Sequence, residues 1–190
     1  MPHSCIFLLV LMLLPGCSSL RVMSHVPLAT MSRLSAMKLA EIDPAQLRVA
    51  ARMPDHIEPR WGGVKVNITM GTKEASKMDL VLEPAAEPQE LSALSQYQRP
   101  GTRLWSYRLS AADAAHLQRT ITAAGSSGQS SVSIAAGVDA CRRGPLGSQP
   151  LPTTTFLRTD AGGFLVLAED LDLRSVVSES DLASKVPACD

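Results

Sequence analysis

The chain has 190 residues, 18 basic and 18 acidic side chains, and an apolar fraction of 45%. That length suits one domain with a real core, and the composition excludes wholesale disorder. Zero formal charge excludes a whole-protein attraction to nucleic acid, and an aromatic content of 4% argues against stacking platforms for sugars or bases.

The first 16 residues, MPHSCIFLLVLMLLPG, contain no Asp, Glu, Lys or Arg, and every residue from Cys5 to Leu14 is apolar. As a helix such a run spans about 15 Å, half of the roughly 30 Å hydrocarbon core of a bilayer, so it has the length of a signal-peptide apolar region and not of a membrane span. Leu14-Pro15-Gly16-Cys17 follows, with Leu three residues before a Cys and a small residue just before it. This segment resembles the lipobox of bacterial lipoproteins. The resemblance implies that residues 1–16 are a cleaved signal peptide and that the Cys17 thiol receives diacylglycerol. It also implies that the new amino group takes an acyl chain such as palmitate. Ser18, in the place where Asp would signal retention, implies sorting to the outer membrane. An ordinary cleaved signal and a chance apolar start on a cytosolic protein are the alternatives.

Four cysteines are present. With Cys5 discarded and Cys17 lipidated, Cys141 and Cys189 remain, and an even pair in an exported chain reads as a disulfide. The alternative is two isolated buried thiols. The absence of C-x-x-C removes a redox centre or zinc ribbon from consideration.

Residues 17–27 read as the lipidated Cys and a tether, and 28–190 as a single β-rich globular domain. In 28–42, Leu28, Met31, Leu34 and Met37 recur every three residues, a weak helical signal, before a turn at Asp43-Pro44. Alternation then dominates. In 48–53, Val49, Ala51 and Met53 oppose Arg48 and Arg52; in 64–70, Val64, Val66, Ile68 and Met70 oppose Lys65, Asn67 and Thr69. Residues 54–63 between them read as the loop of a hairpin. Met78, Leu80 and Leu82 mark a third strand, and 84–100, rich in Pro, Glu, Gln and Ser, a long connection. Residues 103–109 alternate with Trp105, Tyr107 and Leu109 inward. Ser110 caps a helix over 111–124 with Ala114, Leu117, Ile121 and Ala124 on one face and Gly125 as its stop. Residues 131–138 alternate again, 142–152 form a loop, and 153–159 with 164–168 flank Asp160-Ala161-Gly162-Gly163 as a hairpin. The tail, 169–190, is acidic and polar. Seven short strands and one inserted α-helix predict a mainly β, antiparallel sandwich-like domain, with a single-sheet α+β layer as the alternative.

No catalytic residue, metal ligand or cofactor-binding residue is predicted. His25, His56 and His116 stand in no nucleophile frame, and neither G-x-S-x-G nor S-x-x-K occurs. Glu169-Asp170-Leu171-Asp172 lacks the spacing of a calcium loop and reads as a solvated acidic turn. The Gly62-Gly63, 125–128 and Gly162-Gly163 segments read as turns, Arg142-Arg143 as a small basic spot, Trp105 as core and Trp61 as the better surface anchor. The expectation is therefore a lipid-anchored bacterial envelope protein, facing the periplasm from the outer membrane. It acts as a binding or scaffolding module, with a periplasmic small-ligand carrier or an envelope hydrolase as alternatives. Its partners are the lipid bilayer, through acylated Cys17, and an unidentified envelope protein, with no nucleic acid.

Overall fold

A computed structural model describes residues 27–71, 76–85, 87–128 and 131–189. Cys17, His25 and the signal and tether segments, Pro27 excepted, lie outside them. The elements in chain order are α1 (Leu28–Ala36), β1 (Arg48–Pro54), β2 (Ile57–Met70), β3 (Ser76–Val81), β4 (Glu83–Pro84), α2 (Pro88–Leu94), β5 (Thr102–Arg108), α3 (Ala111–Ser126), β6 (Val132–Arg142), β7 (Pro152–Arg158), β8 (Leu165–Asp172), α4 (Leu173–Val176) and α5 (Glu179–Lys185). The strands form a five-stranded sheet, β4-β5-β1-β7-β8, and a three-stranded sheet, β3-β2-β6. All pairings within the two sheets are antiparallel. The fold is the predicted mainly β, two-sheet arrangement. No described helix is long and apolar enough to cross a membrane.

The main core lies between the sheets. Val49, Tyr107 and Leu157 of the larger sheet meet Val64, Val66, Ile68 and Met70 of β2, and Leu117, Ile121 and Ala124 of α3 join the same cluster. The period-two pattern of β2 aims one face inward, as the sequence predicts. Ser110 caps α3, its Oγ accepting from the Asp113 N–H at 3.1 Å. The helix runs past Gly125 to Ser126 and ends before Gly128, whose φ is +76°.

Three expectations are corrected. First, residues 54–63 are not a hairpin loop. The turn is Asp55-His56, and the flanking strands belong to different sheets, so the chain passes from one layer to the other there. Second, 84–100 is no plain connection: it contains α2, opened by Pro88 in the first helical turn, and a short 3-10 turn over Ser95–Tyr97. Third, the tail folds. β8 continues to Asp172 and α5 places Leu182 and Val186 in a second core cluster with Ala51, Met53, Ile57, Ala140 and Leu151.

The α2 helix changes the meaning of β1. Every residue of β1 is buried, so the Arg48/Arg52 face, read from sequence as wet, is covered. Glu90 of α2, 3% exposed, accepts from Arg48 Nε at 2.5 Å and Arg158 Nη2 at 3.0 Å through one oxygen, and from Ser106 Oγ at 2.9 Å through the other. One carboxylate thus joins α2 to β1, β7 and β5. Arg52 bonds the Tyr97 carbonyl, Thr154 Oγ1 and the Asp170 carboxylate on the same covered face. Burial of such charges is tolerated only when they are paired and hydrogen-bonded.

The Cys141–Cys189 disulfide is present, with Cα atoms 5.0 Å apart and a sequence separation of 48. Chain entropy values a loop of that length at about 4 kcal/mol. Around it the Arg142 N–H donates to the Pro187 carbonyl and the Cys189 N–H to the Arg142 carbonyl, so the tail lies against the end of β6 as a parallel bridge.

Removing Glu90 leaves two guanidiniums facing each other under α2. Glu90→Ala is expected to lower stability by about 3–5 kcal/mol in urea unfolding, with Glu90→Gln losing less. A loss below about 1 kcal/mol for the Ala variant contradicts this account.

Candidate functional site

The site is built by an irregularity in β2. Its pairing with β6 slips between Pro59 and Val64: Pro59 stands opposite Ala140 and Val64 opposite Val138, so residues 60–63 face the single Asp139. Such a bulge bends the strand and frees its side chains from the ladder. Gly63 permits it, because a Cβ there would lie 2.8 Å from the Asp139 carbonyl oxygen, and Gly62 turns the chain at φ +68°. Between them and Pro59 the bulge presents Arg60 and Trp61, the latter 91% exposed.

Opposite the bulge runs β5. Period two puts Leu104 and Ser106 on the α2 side and Arg103, Trp105 and Tyr107 on the other. The bulge, this face of β5 and the β3–β4 junction enclose an open cleft of about 610 Å³ at the margin of the two sheets. That volume falls in the range of about 300–1,000 Å³ found for small-molecule sites. Both tryptophans of the chain and one of its two tyrosines line it, while Tyr97, Phe156 and Phe164 pack together elsewhere.

The charges divide into two groups. Glu58 at the cleft wall pairs with Arg143 at 2.7 Å, and Glu83 at the rim with Arg108 at 3.0 Å. The Glu58 hydrogen bond, followed by its charge, raises the Arg143 pKa above its ordinary value. Arg60 and Arg103 also line the cleft, with no acidic partner among the described residues. The Arg103 guanidinium lies 5.4 Å from the centre of the Trp105 ring, a cation–π distance. The Trp105 indole N–H is shielded from solvent and has no acceptor among the described residues. Burial, and then the Glu58 charge, push the Tyr107 hydroxyl up to about 12 from an ordinary 10.0, so at neutral pH it is a protonated donor.

The other residues weighed from sequence lie elsewhere or hold structural posts. Of the described histidines, His56 sits in the β1–β2 turn and His116 is exposed on α3; neither lines the cleft. The acidic run is not a solvated turn but the end of β8. There Asp170 accepts from Arg52, and Asp172 Oδ1 accepts from the N–H groups of Leu151 at 2.9 Å and Arg174 at 3.1 Å. Of the basic spot, Arg143 is committed to Glu58. Glu58 also lies beside Cys141 and Cys189, with the three ligand atoms within 4.8 Å of one another, but sulfurs joined to each other supply no thiolate. Trp61 is at the surface, as expected, whereas Trp105 is half core and half cleft wall. Sequence reasoning missed Arg60, Arg103 and Tyr107 as a group. The available signal was the arginine preceding Trp61 and the same-face spacing of Arg103, Trp105 and Tyr107.

Comparison with known proteins returns no matching family model, no matching curated protein and no matching solved structure.

The Tyr107 shift predicts a pH effect. Between pH 10 and about 12 the folded state keeps a phenolic proton that the unfolded chain has lost, so stability falls as pH rises through that window. Tyr107→Phe should flatten the fall measured by urea unfolding, and Glu58→Gln should lower the phenolate midpoint read by ultraviolet absorbance while leaving it above 10.0. A Tyr107 midpoint at the ordinary value contradicts the buried setting described.

Proposed function

We propose that the protein is a lipid-anchored bacterial envelope lipoprotein, held on the outer membrane through acylated Cys17, and that its domain is a binding module that captures a small ligand in the cleft between the Trp61 bulge and β5. The anchor rests on the lipobox-like segment Leu14-Pro15-Gly16-Cys17 and its preceding apolar run. Two or more acyl chains, at about 0.8 kcal/mol per buried methylene, hold a protein stably on a bilayer. Export is supported by the Cys141–Cys189 disulfide, a bond that persists in oxidising compartments.

The observation that carries the binding reading is the cleft itself. Trp61 is almost wholly exposed beside two arginines that have no acidic partner among the described residues, in a cavity of about 610 Å³. Trp61 is not an isolated surface residue but part of a concave lining with Trp105, Val81 and the prolines, and apolar surface gathered in a groove with a few polar groups is the pattern of a binding site. This favours the small-ligand form of the module over a pure scaffold. Anchoring on a surface raises the local concentration of the binder near other envelope components.

Native mass spectrometry of protein extracted from envelopes in mild detergent tests both parts. The expected result is a chain beginning at Cys17, carrying acyl mass and a bound small molecule, with Trp61→Ala keeping the acyl mass and losing the ligand. An untruncated chain in the cytosolic fraction contradicts the anchor. An acylated chain with no ligand in either form contradicts the cleft reading.

A further inference from the structure

We infer that the cleft selects a flat organic anion: an aromatic ring system bearing a carboxylate, sulfonate or phosphate, its ring against the exposed Trp61 face and its acid group on Arg60 and Arg103. The inference rests on the cleft being the recognition site and names what that site recognises.

Charge decides the sign. Five charged side chains line the cleft, Glu58, Arg60, Glu83, Arg103 and Arg143. Glu58 is matched by Arg143 and Glu83 by Arg108. What remains facing the ligand is two guanidiniums, an arrangement that a cation would raise in energy and an anion would lower. Each guanidinium offers a planar fork of N–H donors suited to an acid group, and such charge-assisted bonds are about twice as strong as neutral ones. Arg103 is already seated over Trp105 at 5.4 Å, which leaves the edge of its fork, not its face, for the acid.

The walls decide the body. Apart from the five charged side chains, Gly62 and Ser110, they are rings and a short aliphatic margin: Trp61, Trp105, Tyr107, Pro59, Pro84, and the Val81-Leu82 pair. Flat ring faces favour a flat partner in offset or edge contact. The cleft is open along the sheet margin, whereas an alkyl chain gains most in an enclosed apolar channel. The Tyr107 hydroxyl, which has no hydrogen-bond partner among the described residues, adds a neutral donor along the wall.

The chain supplies its own reporters, since it has two tryptophans and both line the cleft. The experiment is a titration of the 15N-labelled full chain, reading the two indole N–H resonances. The probes are 2-naphthoate, its uncharged isostere 2-naphthamide, and decanoate. Naphthoate is expected to shift both indole signals saturably and to bind about tenfold or more tighter than naphthamide, the scale of one or two charge-assisted hydrogen bonds. The double variant Arg60→Gln/Arg103→Gln should lose that advantage and keep naphthamide binding, with an unchanged melting temperature, because both arginines are exposed. Equal affinity for naphthoate and naphthamide overturns the anion assignment but leaves the cleft as a binding site. Decanoate binding more tightly than naphthoate overturns the flat body. If no probe moves either indole signal, the cleft reading falls with the ligand class.

Discussion

The structure turns on one buried carboxylate. Glu90 is held by Arg48 of β1, Arg158 of β7 and Ser106 of β5, and it carries α2 down onto the face of the larger sheet that would otherwise be wet. That contact makes β1 an interior strand on both sides. It also fixes β5 through Ser106, and because side chains alternate, the neighbours of Ser106 are aimed the other way: Trp105 and Tyr107 face the cleft. A polar tie on one face of a strand therefore sets the geometry of a cleft wall on the other. Such ties add little net stability compared with apolar packing, but breaking one is costly, which makes them effective at holding a single register.

The second wall is set by backbone constraints. Residues 60–63 stand opposite Asp139 alone, and the close approach of Gly63 to the Asp139 carbonyl leaves no room for a Cβ. The bulge carries Trp61 and Arg60 away from the ladder without disturbing Val64, Val66 and Ile68, which return to the core. The result is a sheet margin that carries Trp61, the Arg103–Trp105 pair, and two guanidiniums with no acidic partner among the described residues. The disulfide and the tail bridge lie next to this margin, since Glu58, which opens the bulge, contacts Arg143 just after Cys141. Chain termini tend to fray, and the bond at Cys189 prevents that beside the site.

Much of the fold was legible because burial on one face leaves a period-two trace. Residues 64–70, 103–109 and 131–138 show it, and the capping serine and alanine-rich run disclose α3. The Cys141–Cys189 pairing followed from parity and compartment. What stayed hidden depends on partners distant in sequence. Arg48 and Arg52 look like a solvated face until Glu90, 42 residues after Arg48, and Tyr97, 45 residues after Arg52, are known to meet them. The helix over Pro88–Leu94 is too short and polar to show an apolar stripe, and it docks through that same contact and through Leu94, buried with Ala50 and Phe156. The tail helices likewise depend on docking Leu182 and Val186 against β1, β2 and β6 residues. For the site, Trp61 stood out as a surface aromatic beside two glycines. Its convergence with Arg103 and Tyr107 required the register of two sheets, which no local pattern encodes.

The central claim is that the Trp61 bulge and β5 together form the place where this protein meets its ligand. Photoaffinity labelling tests it most directly: a diazirine-bearing naphthoate is irradiated with the full chain and the labelled peptides are sequenced. The account predicts that label concentrates on residues 59–62 and 103–107 and is displaced by excess unlabelled naphthoate. Label spread along the chain, or concentrated on α3 or the tail and indifferent to competitor, would contradict it.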